Sequence, residues 1–186
     1  MQIIGLSGKS GSGKDHVANI MANLWDYHLL PLSLPVKLDA IAKYGCTYAE
    51  VFDDKPTEIR NLLQQIGTED GRDVFGEEVW IYYTLSMAKW MSQNWGIQKF
   101  VIPDIRFQNE LKFLTQLGYP VFRIVSDKVL QDMYGLTGAS ADHVSETQLD
   151  KIPASYFTGV FYNEYDKLDE LTLQIETALT SLTWGE

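Results

Sequence analysis

Gly8-Lys9-Ser10-Gly11-Ser12-Gly13-Lys14-Asp15 follows directly on the apolar run Ile3-Ile4-Gly5-Leu6, and the reading of that junction decides the fold. It matches the phosphate-binding pattern G-x-x-x-x-G-K-[ST], except that Asp15 stands where a hydroxyl residue is expected. Glycines let consecutive backbone N–H groups turn inward, the next helix aims its positive end at the phosphates, and Lys14 adds a mobile charge. The apolar run reads as a strand, and Val17, Ile20, Met21 and Leu24 repeat at helical spacing behind the loop. That order of strand, Gly-rich loop and helix separates the motif from an ordinary turn bearing a surface lysine.

Asp15 is the oddity in the motif. A carboxylate beside a polyphosphate is tolerable when a divalent cation sits between them, and hard oxygen ligands suit magnesium. It also suits the first turn of a helix, where negative charge favours the dipole. Both roles can hold at once.

The chain has 186 residues, enough for one domain with its own core. Its net charge of −10 argues against a general polyanion-binding surface, so extended nucleic acid is not an expected partner. An acidic protein that binds a phosphorylated ligand must gather its few cations locally, and their positions become informative. A single cysteine, Cys46, excludes an internal disulfide framework and agrees with a reducing cytosol. No apolar run reaches membrane-spanning length, and the N-terminus goes straight into a strand, so a soluble, cytoplasmic protein without a signal peptide is expected.

Strands are expected at 2–7, 27–32, 99–103, 120–125 and 159–163, and helices at 14–25, 37–44, 57–66, 77–93, 107–117 and 166–182. Gly118 is placed to end the fifth helix, and Asp166 to cap the last, whose Leu168, Leu171, Ile175, Leu179 and Leu182 form one stripe. Alternating strands and helices predict an α/β fold on a parallel sheet. The region 57–93 is helical without a strand and reads as an insertion over the ligand side.

Two further patches carry chemistry. Phe100-Val101-Ile102-Pro103-Asp104 is a strand ending in an acid, with Arg106 two residues on; ligands of open α/β sheets sit at such strand ends. A structural ion pair would look the same. In Thr57–Arg72, Leu62, Leu63 and Ile66 share one helical face, while Arg60, Gln64 and Gly67 share the other. Arg60 can grip a phosphate with its planar fork, Gln64 can read a base edge, and Gly67 permits close approach. A solvated polar face is the competing reading. Lys37 opens a helix after the second strand and can meet an anion there. Trp80 is by default a core residue, with the base site as the alternative. Three scattered histidines at 16, 28 and 143 give no metal-ligand spacing.

These residues recur together in a known pattern. Ser7-Gly8, Ser12-Gly13-Lys14-Asp15, Leu34-Pro35-Val36-Lys37, and Arg60-x-Leu62-Leu63-Gln64-x-Ile66-Gly67-Thr68-Glu69-x-Gly71-Arg72 with Trp80 come first. Asp104-x-Arg106-Phe107-x-Asn109-Glu110, His143-x-Ser145-Glu146 and Asn163 follow. In that order they resemble the deoxynucleoside monophosphate kinases of tailed bacteriophages, a branch of the P-loop nucleoside monophosphate kinases, over almost the whole chain.

The resemblance implies a three-layer P-loop kinase fold with a parallel five-stranded sheet. Its core would be 1–36, 96–126 and 157–186, with a helical substrate-binding insertion at about 37–95 and a lid at about 127–146. It implies transfer of the ATP γ-phosphoryl group to a dNMP, with Mg²⁺, in the host cytoplasm if phage-encoded, by a monomer or homodimer. Lys14, Asp15, Asp104 and Arg106 would be catalytic, and Asp15 and Asp104 would organise magnesium directly or through water. Gly11, Ser12, Gly13, Lys14, Asp15, His16 and Asn163 would bind ATP, with Asn163 beside the adenine. Lys37, Arg60, Gln64, Arg72, Arg106 and Trp80 would face the dNMP.

One departure stands out: the lid contains Lys128 but no arginine, so transition-state charge there would fall to Lys14, Arg123, Lys128 or the substrate-side arginines. Two other readings stay open. One is a P-loop kinase for another phosphorylated small molecule, such as phosphomevalonate; the other is a non-catalytic ATP-binding regulatory module.

Overall fold

A computed structural model describes residues 1–126, 152–164 and 166–183. The chain divides into two compact units, one of Met1–Leu29 with Ile97–Glu186, the other Leu30–Gly96.

The first unit is built on five parallel strands: β1 (Gln2–Ser7), β2 (His28–Leu29), β3 (Lys99–Ile105), β4 (Val121–Ser126) and β5 (Gly159–Asn163). Their order across the sheet is β2-β3-β1-β4-β5. β1 lies between β3 and β4, which follow it on opposite sides, so its carboxyl end opens into the crevice where the strand order reverses. Helix α1 (Lys14–Trp25) and the C-terminal helix pack Val17, Met21, Leu171 and Ile175 against Ile4, Leu6, Val101, Phe122 and Phe161. Each such side chain contributes about 1.5–3 kcal/mol by leaving water. On the opposite face Gly5 leaves room for Val121, Ile105 and Leu114, the last of these carried by a helix running Gln108–Gln116.

Sequence and structure differ at several points. β2 is two residues long, because Pro31 has no N–H to extend the pairing and the chain turns there, with Leu34 N–H donating to the Pro31 carbonyl. β3 runs on past Pro103 to Ile105, so Asp104 lies inside the strand. Gly5 pairs with Ile102 and Ser7 with Ile105, which leaves one extra residue on β3, a bulge around Pro103 and Asp104. Asp166 does not cap the last helix; it takes φ 60°, the residue before the helix is Lys167, and Lys167 pairs with Glu164 and Glu170. Leu168 is likewise exposed rather than part of the buried stripe.

The second unit contains α2 (Ser33–Tyr44), α3 (Thr57–Gly67), a single turn α4 (Asp73–Phe75) and α5 (Val79–Trp95). Two π-helical turns, Glu50–Asp54 and Thr68–Arg72, flank α3. α2 starts four residues earlier than its periodicity suggests, since Pro35 fits a first turn that needs no N–H from it. Lys37 therefore sits a full turn into the helix. Val36, Ala40, Val51, Ile66 and Trp80 form the core of this unit, with Cys46, Leu62 and Leu63 half-buried against it.

Back in the first unit, α6 (Gln108–Gln116) ends as expected at Gly118, which has φ 80°. Gly118 N–H donates to Thr115 and Tyr119 N–H to Leu114, the two bonds of a Schellman motif. The C-terminal helix, α7 (Leu168–Ser181), borders the edge strand β5. Its Gln174 carboxamide accepts from the Tyr162 N–H at 2.9 Å and donates to the Tyr162 carbonyl at 3.2 Å. Among the described residues no helix is long and apolar enough to cross a membrane.

Candidate functional site

β1 ends at Ser7 between Ile105 of β3 and Arg123 of β4, and the phosphate loop leaves from that point. Gly8 cannot be anything else, because a Cβ there would stand 2.6 Å from both the Ile124 carbonyl oxygen and Ser12 Oγ. Within the loop the Ser12 N–H donates to the Lys9 carbonyl at 3.1 Å. Gly13 has φ 92° at the start of α1, and its carbonyl accepts the first helical bond from Val17. Lys14 folds back over the turn, its Nζ donating to the carbonyls of Gly8 at 2.7 Å and Lys9 at 2.8 Å. The hydroxyls of Ser7 and Ser12 are fully buried and have no hydrogen-bond partner among the described residues. Such groups cost about 1–3 kcal/mol each, and they gather where a protein does chemistry.

Asp15 and His16 occupy the first turn of α1, both exposed. Asp104 is half-buried on the bulged end of β3, one residue before the partner of Ser7. Asp15 thus follows the loop that leaves β1, and Asp104 stands near the carboxyl end of the neighbouring strand β3. Oxygen donors from those two places fit a hard divalent cation, although no group of three metal-ligating residues gathers among the described residues. Arg106 is exposed just past β3. The turn that presents it is fixed by Glu110, which is buried and accepts from the backbone N–H groups of Arg106 at 2.8 Å and Phe107 at 3.0 Å. Sequence reading left Glu110 without a role. Its position three residues after the helix-capping residue is the signal that would have supplied one.

Arg123 lies within β4, its guanidinium 5.6 Å above the Phe157 ring. Lys128 and the lid at 127–146, with His143, Ser145 and Glu146, lie outside the described residues. Asn163 ends β5 and donates to the Ser12 carbonyl at 3.0 Å.

In the second unit, α3 shows the expected two faces, with Ile66 buried, Leu62 and Leu63 half-buried, and Arg60 and Gln64 exposed. Arg60 Nε donates to the Lys55 carbonyl at 2.7 Å. Lys37, half-buried on α2, places its ammonium 4.6 Å from the centre of the Phe52 ring. Gly67 differs from expectation. A methyl group there would meet Val36 at an ordinary 3.9 Å, so close approach is not what holds glycine at that position. The demanding position is Gly71, where a Cβ would collide with the Trp80 ring and lie 2.8 Å from the Ile66 carbonyl. Trp80 is buried, and its Nε1 donates to the Gly67 carbonyl at 2.8 Å, which fastens the turn that ends in half-buried Arg72. The far end of α2 reaches the same turn. Tyr44 donates to Asp70 at 3.0 Å, and that carboxylate raises the phenol's pKa.

No protein-family model matches the sequence. Over 117 residues, 62% of this chain, it is 32% identical to the deoxynucleoside-5'-monophosphate kinase of Escherichia phage T5. The chain spans less than half of that relative, 43% of its length. Among solved structures it is similar to TT1252 from Thermus thermophilus, with a TM-score of 0.53 and 20% identity over 98% of both chains. It is also similar to the shikimate kinase of Bacteroides thetaiotaomicron, with a TM-score of 0.50 and 15% identity over 96% of this chain and 98% of the other. At those identities the structural matches speak for the fold alone, an α/β fold on a five-stranded parallel sheet.

Proposed function

We propose that this chain is a kinase that moves the γ-phosphoryl group of ATP onto a deoxynucleoside 5'-monophosphate, giving a dNDP and ADP. The observation that carries the phosphotransferase reading is the built phosphate loop, its Gly8 and Gly13 forced by contact, its Gly11 by a φ of 77°, and its lysine folded over it. The acceptor class rests on the sequence similarity to the phage T5 enzyme. Phosphoryl transfer asks a protein for positioning and charge neutralisation more than for covalent chemistry. The residues supply that inventory.

In this reading Gly11, Ser12 and Gly13 present backbone amides to the ATP phosphates, and Lys14 exchanges its loop carbonyls for phosphate oxygens. His16 lies in the same first turn. Asp15 and Asp104 hold Mg²⁺, which supplies positive charge against the β- and γ-phosphates. Arg106, Lys37, Arg60 and Arg72 are the cations for the monophosphate, and Gln64 offers a paired donor and acceptor to its base. Trp80 serves by shaping the turn that carries Arg72. Arg123 is the described cation available to the lid side.

A coupled assay with ATP and Mg²⁺ against each dNMP and NMP tests the proposal. Turnover of at least one dNMP, lost on chelating the metal, is the expected result. Phosphorylation of phosphomevalonate and of no nucleotide would move the chain to the neighbouring kinase class. ATP binding without any phosphorylated product would make it a regulatory module.

A further inference from the structure

Asn163 is the last residue of β5, in register with Ser126 at the end of β4. Its neighbour Tyr162 is held at both backbone groups by Gln174, so this strand end is fixed from the sheet and from α7 together. From there the Asn163 side chain makes two contacts with the phosphate loop. Its Nδ2 donates to the Ser12 carbonyl at 3.0 Å, and the same amide lies so close over Gly13 that a Cβ there would collide with it.

A trans peptide holds its C=O and N–H antiparallel. Drawing the Ser12 carbonyl toward Asn163 therefore turns the Gly13 N–H the opposite way, away from β5. Nothing in Gly13 itself imposes that choice, since glycine accepts either sign of φ, and the Ser12–Gly13 plane could flip at little cost. The side chain that bonds this carbonyl comes from residue 163, some 150 positions away in sequence.

We propose that Asn163 is a positioning residue: it fixes which way the Gly13 amide points, and through that amide sets the affinity of the loop for the ATP phosphates. This rests on the ATP reading of the loop, and it replaces a base contact by Asn163 with a contact to the loop's own main chain.

The test uses the full chain with two probes, ATP and inorganic tripolyphosphate, which lacks a base. Asn163→Leu, near in size but without the donor, should weaken binding of both probes by the same factor, about tenfold for a lost charge-assisted amide contact. The KM for ATP should rise with it while the KM for the acceptor stays within about twofold. Asn163→Gln, which keeps a carboxamide, should recover part of the loss. If Leu cannot be accommodated over Gly13 and the cooperative melt is lost, Asn163→Ala carries the same measurement. Weakened ATP with unchanged tripolyphosphate would make Asn163 a base contact and overturn the proposal, as would no change in either. A wild-type chain that binds neither probe would overturn the ATP reading of the loop, and the positioning role with it.

Discussion

At the phosphate loop, Asn163 donates to the Ser12 carbonyl and lies over Gly13; at the turn Thr68–Arg72, Trp80 donates to the Gly67 carbonyl and its ring lies over Gly71. Each turn is fastened by a side chain that bonds one carbonyl and excludes a Cβ nearby. What the two turns deliver differs. The loop offers main-chain amides, so its function is written in glycines and would survive many changes of its other side chains. The second turn and the adjoining face of α3 offer side chains, Arg72, Arg60 and Gln64, and the backbone beneath them only sets their direction.

The contrast is broken most severely at Lys14. On the proposed reading, Lys14→Ala removes the ammonium that lies over the loop, and kcat in the coupled assay should fall by at least about a hundredfold. Retained turnover would mean that the amides alone suffice. Gly71→Ala comes next. The added methyl must displace the Trp80 ring or the Ile66 carbonyl, and urea unfolding should show a loss of about 1–3 kcal/mol. The KM for dNMP should rise while the KM for ATP holds; an unchanged dNMP KM would detach this turn from the acceptor. The smallest effect is at Arg60. Arg60 is exposed, so Arg60→Ala should leave stability within about 0.5 kcal/mol. Its effect belongs in the dNMP KM, raised several-fold, and an unchanged KM and rate would remove Arg60 from the site.

The same contrast explains what could be read from sequence. The loop and the central strands were legible because backbone demands leave few residue choices: glycine where a carbonyl crowds, β-branched and aliphatic runs where a strand is covered on both faces. β2 was overread, since an apolar run does not show that Pro31 will end its pairing after two residues. The bulge that draws Asp104 into β3 is a matter of register between strands nearly a hundred residues apart, which no local window contains. The two faces of α3 were read from periodicity, but Gly67 was chosen over Gly71 because helical periodicity cannot see a tryptophan arriving from α5. Glu110 and Asn163 were seen as motif letters. Their contacts, to main-chain amides and a carbonyl, exist only in the folded chain.

Gln174 has a consequence beyond the loop. An edge strand is a template on which other chains can add, and among the described residues β5 is such an edge. By giving Tyr162 both a donor and an acceptor, the Gln174 carboxamide stands in for one residue of a missing neighbouring strand. At the opposite edge, β2 is only two residues long. Two copies seeking to merge their sheets through β5 would first have to evict a side chain that already answers the question their strands would ask.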